Sequence, residues 1–158
     1  MNYGYNYTSS LRQSQFLYFR SDKISLTISN TSFEYNLAIN YYREGVILYF
    51  SDIIKVILDN CDFIANIGTR SSAIYVKNTN TKLMNWEDTS LTHINITNCI
   101  FDGNGSTNGS GVVDIEFPED TDLYTILIEN NIFKRNANHA INSAIVKIRN
   151  FNDEITTA

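Results

Sequence analysis

The carboxylates, which are the side chains best suited to catalysis here, are spread along the sequence. Glycoside hydrolases use two carboxylates that flank the scissile bond, and polysaccharide lyases gather them around Ca²⁺ beside a basic residue. Asp59 and Glu129 lie far apart in the chain, and Asp114 and Glu116 alternate along one predicted strand. We expect Asp114 and Glu116 to point to opposite faces of that strand. The sequence therefore predicts no catalytic centre.

The histidines and cysteines also lack a metal-binding pattern. His93 and His139 are far apart, as are Cys61 and Cys99, and no CxxC pair is present. Structural zinc sites need such closely spaced pairs. We expect both histidines to be solvated surface residues, and the sequence predicts neither a metal nor a cofactor.

Composition narrows the class of protein. The chain has 158 residues, of which 43% are hydrophobic, a single Pro and a formal net charge of −5. It is long and apolar enough to bury a core, and its acidic balance argues against binding nucleic acid. No run reaches the roughly 18 apolar residues of a membrane span. Because the start has no signal-peptide pattern, we expect either a cytosolic protein or a piece of a longer one.

The elements that must position these side chains belong to a repeat. Four segments share the pattern Φ-x-Φ-x-N-x-x-F-x-x-N, where Φ is aliphatic, and they cover residues 26–36, 56–66, 94–104 and 126–136. The motif phenylalanines are separated by 30, 38 and 32 residues. A rigid motif at irregular intervals indicates a repeated geometry that is interrupted by loops of variable length.

Each repeat has the residue pattern of β-strands and no helical pattern. The motif opens with alternating apolar and polar residues, which is typical of a strand with one buried face. A second aliphatic run, opened by a small residue, follows each motif, as at residues 72–76 and 111–115. This pattern predicts an all-β fold, a right-handed single-stranded parallel β-helix of the pectin-lyase-like kind with about four coils.

Two sets of motif residues are predicted to form ladders from coil to coil. Stacked parallel strands bring equivalent side chains to within about 5 Å of one another. The asparagines end a strand and suit a bend with positive φ, and the phenylalanines form an aromatic stack. The ladder residues are Asn30, Asn60, Asn98, Asn130, Phe33, Phe63, Phe101 and Phe133.

Cys61 and Cys99 occupy the same position in consecutive repeats, one residue after the ladder asparagine. Their Cα atoms are therefore expected about 5 Å apart, which is within the range for a disulfide. A disulfide between coils and a pair of stacked free thiols fit this spacing equally well. An oxidising compartment favours the disulfide.

The motif resembles the repeat of the chlamydial polymorphic outer membrane proteins and related protist surface proteins, whose signatures are FxxN and GGAI. Over residues 16–150 the FxxN signature is intact in all four repeats, whereas GGAI survives loosely, as in Ser71-Ser-Ala-Ile74. The resemblance implies a parallel β-helix of the kind found in surface stalks and adhesins.

Surface features favour an extracellular setting. Sequons at Asn95, Asn108 and Asn6 are the candidate glycosylation sites, because Asn30 and Asn104 belong to the structural pattern and should resist modification if buried. Trp86, the only tryptophan, lies in the longest insertion and is a candidate for contact with a partner or glycan. It would alternatively fold back over an apolar coil edge.

The sequence divides into a polar extension over residues 1–15, repeats over 16–150, and a tail or the start of a further coil over 151–158. We expect a non-catalytic structural or adhesive segment of a larger extracellular or cell-surface protein. Its expected partners are other protein chains, further repeats of the same polypeptide, and glycans. The alternatives are a polysaccharide-active enzyme and an intracellular scaffold subunit of an assembly.

Overall fold

The protein folds as parallel β-strands stacked into four sheets. The computed structural model describes residues 15–20, 25–39, 45–78, 92–108, 111–117, 124–138 and 144–150. All secondary-structure elements assigned within these ranges are β-strands. Every pairing between strands is parallel. The predictions of an all-β class and of parallel stacking are therefore confirmed.

Sheet A contains the long strands that follow each motif. In order across the sheet they are β1 (Gln15–Arg20), β5 (Val46–Ser51), β9 (Ser71–Lys77), β13 (Gly111–Phe117) and β17 (Val146–Asn150). The strand order follows the chain, so each repeat adds one strand beside its predecessor.

Sheets B, C and D contain the motif itself and each have four strands. Sheet B consists of β2 (Ser25–Ser29), β6 (Lys55–Asp59), β10 (Thr92–Thr97) and β14 (Tyr124–Glu129). Sheet C consists of β3 (Ser32–Glu34), β7 (Asp62–Ile64), β11 (Ile100–Asp102) and β15 (Ile132–Lys134). Sheet D consists of β4 (Leu37–Ala38), β8 (Ile67–Gly68), β12 (Gly105–Ser106) and β16 (Ala137–Asn138).

Four successive units therefore each place one strand in each sheet. Unit 1 is β2–β5, unit 2 is β6–β9, unit 3 is β10–β13 and unit 4 is β14–β17, and β1 is an additional strand of sheet A. The sequence predicts a motif strand and a second strand in each repeat, and the structure has four strands per unit. The motif phenylalanine lies in a short strand of its own, because the positive-φ asparagine before it turns the chain into a new sheet.

The aliphatic positions of the motif pair in register from unit to unit. Leu26, Val56, Ile94 and Ile126 form one column, and Ile28, Leu58, Ile96 and Ile128 form the other. The members from units 2 and 3 have no exposed surface, whereas those from units 1 and 4 are half-buried. Each fully buried aliphatic side chain stabilises the fold by about 1.5–3 kcal/mol.

The motif phenylalanines form a continuous aromatic stack. Ring centroids are 5.0 Å apart for Phe33–Phe63 and for Phe63–Phe101, and 4.6 Å apart for Phe101–Phe133. The rings are nearly parallel, with interplanar angles of 13°, 6° and 4°. Because the rings stack at one strand spacing, the phenylalanine fixes the register of each unit on the next.

The glycine that opens strand β13 is required by close backbone packing. Gly111 has φ of +156°, and a Cβ atom built there would lie 1.9 Å from the carbonyl oxygen of Ala144. Neither the backbone angle nor the space suits a side chain. This explains on physical grounds why glycine occupies position 111.

Replacing Gly111 with alanine should lower the free energy of unfolding by about 2 kcal/mol, because unit 4 must move away or the backbone must rearrange. The control is Gly105→Ala, since a Cβ atom there meets only the Ala137 carbonyl oxygen, at 3.5 Å. That variant should unfold within about 0.5 kcal/mol of the parent. Urea unfolding followed by circular dichroism measures both, and equal losses would contradict the packing argument.

Candidate functional site

The asparagines that end the sheet B strands turn the chain. Asn30, Asn60, Asn98 and Asn130 have φ of 51°, 52°, 55° and 56°. This left-handed conformation costs most residues about 1–2 kcal/mol, and asparagine adopts it more readily. All four are exposed. Their role is therefore in the backbone, as the sequence predicted from the bend.

The side chains of these asparagines do not form a continuous amide ladder. Asn60 Nδ2 donates to Asn30 Oδ1 at 2.6 Å, but Asn98 Nδ2 donates instead to Asp59 Oδ1 at 2.8 Å. A carboxylate is the stronger acceptor, so Asp59 accepts the Asn98 amide hydrogen bond that would otherwise have gone to Asn60. The hydrogen bonds from Asn98 and Thr97 also lower the pKa of Asp59.

The continuous ladder is formed by the last asparagine of the motif. Its members are Asn36, Asn66, Asn104 and Asn136, and they pair in order along the stack. From unit 2 onward, each Oδ1 accepts from the backbone N–H and Nδ2 of the asparagine in the preceding unit, at 2.9–3.1 Å. Each Nδ2 from unit 2 onward also donates to the motif phenylalanine carbonyl of the preceding unit.

This second column was visible in the sequence as the final position of the motif, but its role as the ladder was not predicted. Asn66 and Asn104 are fully buried. Buried amides must satisfy all their hydrogen-bonding atoms, and stacking identical amides does so along the whole column. The ladder therefore acts as a directional connector between units.

Cys61 and Cys99 lie in consecutive units and are both fully buried free thiols. Cys61 Sγ contacts the backbone carbonyl of Asp59 at 3.4 Å, and Cys99 Sγ contacts that of Thr97 at 3.1 Å. A hydrogen bond from Cys99 lowers the pKa of Cys61 to about 7, against burial, which raises it. The pKa of Cys99 is raised by its hydrogen bond to Cys61 and by burial.

The thiol pair should therefore titrate unequally. We expect one thiolate per chain to form near pH 7 and the second thiol to remain protonated beyond pH 9.0, its ordinary pKa. Because the folded-state pKa of Cys61 lies below its unfolded value, this group adds stability as the pH rises from 7 to 9.0. Thiolate ultraviolet absorbance measures the titration. Cys99→Ala should raise the pKa of Cys61, and two thiolates appearing together near pH 9.0 would contradict the unequal pair.

The outward face of sheet A carries two columns of polar and aromatic residues. One contains Tyr18, Tyr49, Tyr75, Asp114 and Lys147, and the other contains Arg20, Ser51, Lys77, Glu116 and Arg149. The tyrosine rings contact one another at 5.0 and 4.9 Å between centroids. Unlike the outer faces of the other sheets, this face is largely buried, with no exposed surface on Tyr75 or Asp114.

Asp114 and Glu116 point to the same face, so the expectation that they face opposite ways was wrong. Side chains alternate along a strand, so residues two apart share a face. Arg70 contacts both carboxylates, with Nε 3.1 Å from Asp114 Oδ2 and Nη2 3.1 Å from Glu116 Oε2. Arg149 Nη2 also reaches both, at 3.2 and 3.5 Å.

Tyr75 and Lys77 complete this buried ionic network. The Tyr75 hydroxyl donates to Glu116 Oε2, and Lys77 Nζ lies 4.0 Å from the same oxygen. The guanidinium of Arg70 lies over the Tyr75 ring, 4.4 Å from its centroid. Burial lowers the pKa of Arg70, but the acidic side chains of Tyr75, Asp114 and Glu116 outweigh that effect and raise it.

The arrangement brings together the groups of an acid–base site, yet it is built as an ion-pair network. Two carboxylates face two guanidiniums, and the side chains of Asp114 and Glu116 are only 0% and 11% exposed. A glycosidase pair needs open space between its carboxylates for the sugar and water. Here guanidinium groups bridge the carboxylates. The network therefore serves to hold units 2, 3 and 4 together through Arg70, Asp114, Glu116 and Arg149.

The candidate glycosylation sites differ in accessibility. Asn108 is exposed, and Asn95 is half-buried on the outward face of β10. The sequon hydroxyl of Asn95, on Thr97, donates to Asp59 Oδ1 at 2.8 Å. Asn104 is fully buried in the ladder, as expected, but Asn30 is exposed.

His93 is half-buried and pairs in register with Lys55 on the outer face of sheet B.

Three predicted positions, Asn6, Trp86 and His139, lie outside the described residues, as do residues 151–158. Within the described ranges, no helix is long and apolar enough to cross a membrane. The same part of the chain contains no group of three or more side chains that could hold a metal ion.

Fold and site together define the chain as an all-β protein of parallel, repeat-built sheets whose units are connected by buried polar ladders. Comparison of the chain with protein-family models, with curated proteins and with solved structures finds no match in any of the three.

Proposed function

We propose that this chain is a right-handed single-stranded parallel β-helix of about four coils that forms part of a larger extracellular or cell-surface protein. Its role is structural or adhesive and does not involve catalysis. Further coils, on this or another polypeptide, stack on its ends. The resemblance of the FxxN repeat to those of surface stalks supports this function.

The observation that carries the proposal is the gradient of burial along the stack. Val56 and Ile94, in the middle units, have no exposed surface, whereas Leu26 and Ile126, their partners in the outer units, are half-buried. The outer strands of sheets B and C have no further strand paired to them among the described residues. Apolar columns that end half-covered, beside unpaired strand edges, are the features by which such units extend.

The free thiols favour one alternative, an intracellular scaffold subunit. Cys61 and Cys99 lie in register positions that allow a disulfide, yet both are free in the structure. Reducing compartments keep such thiols free. The surface function and the scaffold function therefore predict different covalent states of the natural protein, in its glycans and in the Cys61–Cys99 pair.

Intact mass spectrometry of the protein from its native cells, before and after deglycosylation and reduction, separates the two functions. The surface proposal expects a glycan that is lost in an Asn108→Gln variant, and protease treatment of intact cells should remove the protein. Ser110→Thr is the control, because it keeps the Asn108 sequon and should therefore keep the glycan. An unmodified, protease-protected chain with two free thiols would reject the surface proposal in favour of the scaffold.

A further inference from the structure

The Asn36–Asn66–Asn104–Asn136 ladder has a direction, and its two ends differ. In each step the later asparagine offers Oδ1 to the N–H and Nδ2 of the earlier one, and its Nδ2 donates to the earlier phenylalanine carbonyl. At unit 4 the pattern stops. Among the described residues, the Asn136 N–H, one Asn136 Nδ2 hydrogen and the Phe133 carbonyl have no partner of this kind.

Unit 1 ends with the complementary set. Asn36 Nδ2 donates to Asn66 Oδ1, but Asn36 Oδ1 accepts no hydrogen bond from the described residues. Consider a motif segment stacked on unit 4, with an asparagine at the position equivalent to Asn36. The Oδ1 of that asparagine would accept hydrogen bonds from the Asn136 N–H and Nδ2. Its Nδ2 would also donate to the Phe133 carbonyl. All three ladder positions that lack such a partner among the described residues would then be satisfied.

The side chains around this asparagine also match. In the register of the existing ladders, Phe33 would stack on the half-buried Phe133, and Leu26 and Ile28 would cover the half-buried Ile126 and Ile128. The Phe101–Phe133 centroid distance of 4.6 Å is the spacing that such a stack continues. The apolar columns would thus extend by one step, with aliphatic side chains packed on aliphatic side chains.

The charged residues at the unit 4 end also complement those of the unit 1 motif segment. Lys134 and Arg135 both contact the single carboxylate of Asp102, so one positive charge is in excess there. Glu34 would meet Lys134 in register, and Tyr35 would meet Arg135. No pair of like charges meets between residues 25–37 and the corresponding residues 125–137.

A second intact copy of the chain does not fit this register. Its β2, β3 and β4 would stack on β14, β15 and β16, and its β5 would then pair with β17. But β1 already pairs with β5 on that side. The β1 strand of the incoming copy would occupy the position of β17, so one of the two strands would have to be displaced. The occupant is therefore a motif segment that is not preceded by a β1-like strand.

We infer that the unit 4 end is a docking site for a segment of another chain that carries the Φ-x-Φ-x-N-x-x-F-x-x-N motif, bound as an added set of parallel strands. This inference rests on the proposed stacking function and specifies its partner and its polarity. Binding uses main-chain pairing for affinity, with the phenylalanine and asparagine positions selecting the motif.

The test uses the chain's own residues 25–39, fused to a soluble carrier protein and labelled with a fluorophore. Titration with the full-length chain, followed by anisotropy, should show saturable binding of one segment per chain. Phe33→Ala or Asn36→Ala in the segment should weaken binding at least about tenfold. A carrier with a scrambled segment is the matched control and should not bind.

A charge exchange locates the site. Glu34→Lys in the segment should weaken binding, and Lys134→Glu in the chain should restore it for that segment while weakening binding of the parent segment. Binding that ignores both exchanges, or no binding by the parent segment, would overturn the inference. So would concentration-dependent polymerisation of the intact chain that Lys134→Glu abolishes, because the intact copy would then be the occupant.

These outcomes are separable from those for the proposed function. If the protein carries glycans at the cell surface but does not bind the segment, the proposed function stands and the docking inference is rejected. If the protein is confined within the cell but binds the segment in the stated register, the docking inference stands and the surface function is rejected.

Discussion

Replacing Asn104 with alanine should lower the free energy of unfolding by about 3–5 kcal/mol, because buried groups on both sides lose their partners. The Asn66 N–H and Nδ2 lose their shared acceptor at 3.0 Å, and the Phe63 carbonyl loses its donor at 2.8 Å. Asn66 has no exposed surface, so water cannot replace these bonds without opening the stack. Urea unfolding monitored by circular dichroism gives the value.

The matched control is Asn36→Ala at the same motif position in unit 1. Asn36 is half-buried and its side chain donates a single hydrogen bond, to Asn66 Oδ1. Its removal should cost about 1 kcal/mol, the usual net value of one hydrogen bond. If the two alanine variants lose the same stability, burial in the ladder is not what makes Asn104 important.

An aspartate at position 104 gives a finer test. Asn104→Asp keeps an oxygen that accepts from the Asn66 N–H but removes the amide that donates to the Phe63 carbonyl. The ionised carboxylate would face carbonyl oxygens, which disfavours the charged form and raises its pKa. With a raised folded-state pKa, the stability relative to the parent protein should be greatest at acid pH and fall as the pH rises through that pKa.

Replacing Asp114 with alanine should destabilise the protein by about 3–5 kcal/mol, the usual cost of breaking a buried ion pair by removing one partner. Arg70 and Arg149 would then share the single carboxylate of Glu116. The Asp114 side chain has no exposed surface, whereas Arg70 and Arg149 are 24% and 16% exposed. Their partial exposure allows some solvation, so the lower part of that range applies if the arginines turn outward.

Glu129→Ala is the control for the loss of an acidic residue. Glu129 lies exposed at the end of β14 on sheet B. Its replacement should change the free energy of unfolding by no more than about 0.5 kcal/mol. A loss for Asp114→Ala no greater than this would show that the network on sheet A is dispensable. Added salt should reduce the Asp114 effect only slightly, because buried pairs are weakly screened.

The repeat, its strand class and its parallel pairing could be predicted from the sequence because each depends on a local, periodic signal. Leu26 and Ile28 alternate with polar residues within one strand, which marks a single buried face. Asn30 recurs at the strand end, where a positive φ is needed. Since the motif is rigid, equivalent residues had to meet once the strands stacked.

The buried network on sheet A could not be placed in the same way. Arg70 lies before β9 and reaches Asp114 and Glu116 in the next unit, while Arg149 reaches them from the unit after. The insertions between units vary in length, so the sequence separations of these groups, 44, 46 and 35 residues, show no common period. Reading the strand period correctly would still have placed Asp114 and Glu116 on one face.

By itself, the sequence determined that units repeat, which side chains alternate inward and where the chain turns, because steric preference and apolar periodicity act between near neighbours. Only the tertiary structure decided which asparagine column forms the ladder and that the outer face of sheet A is buried. Asn98 bonds to Asp59 and Asn104 bonds to Asn136. Those choices depend on competing acceptors and on burial, which exist only once separate units have been brought together.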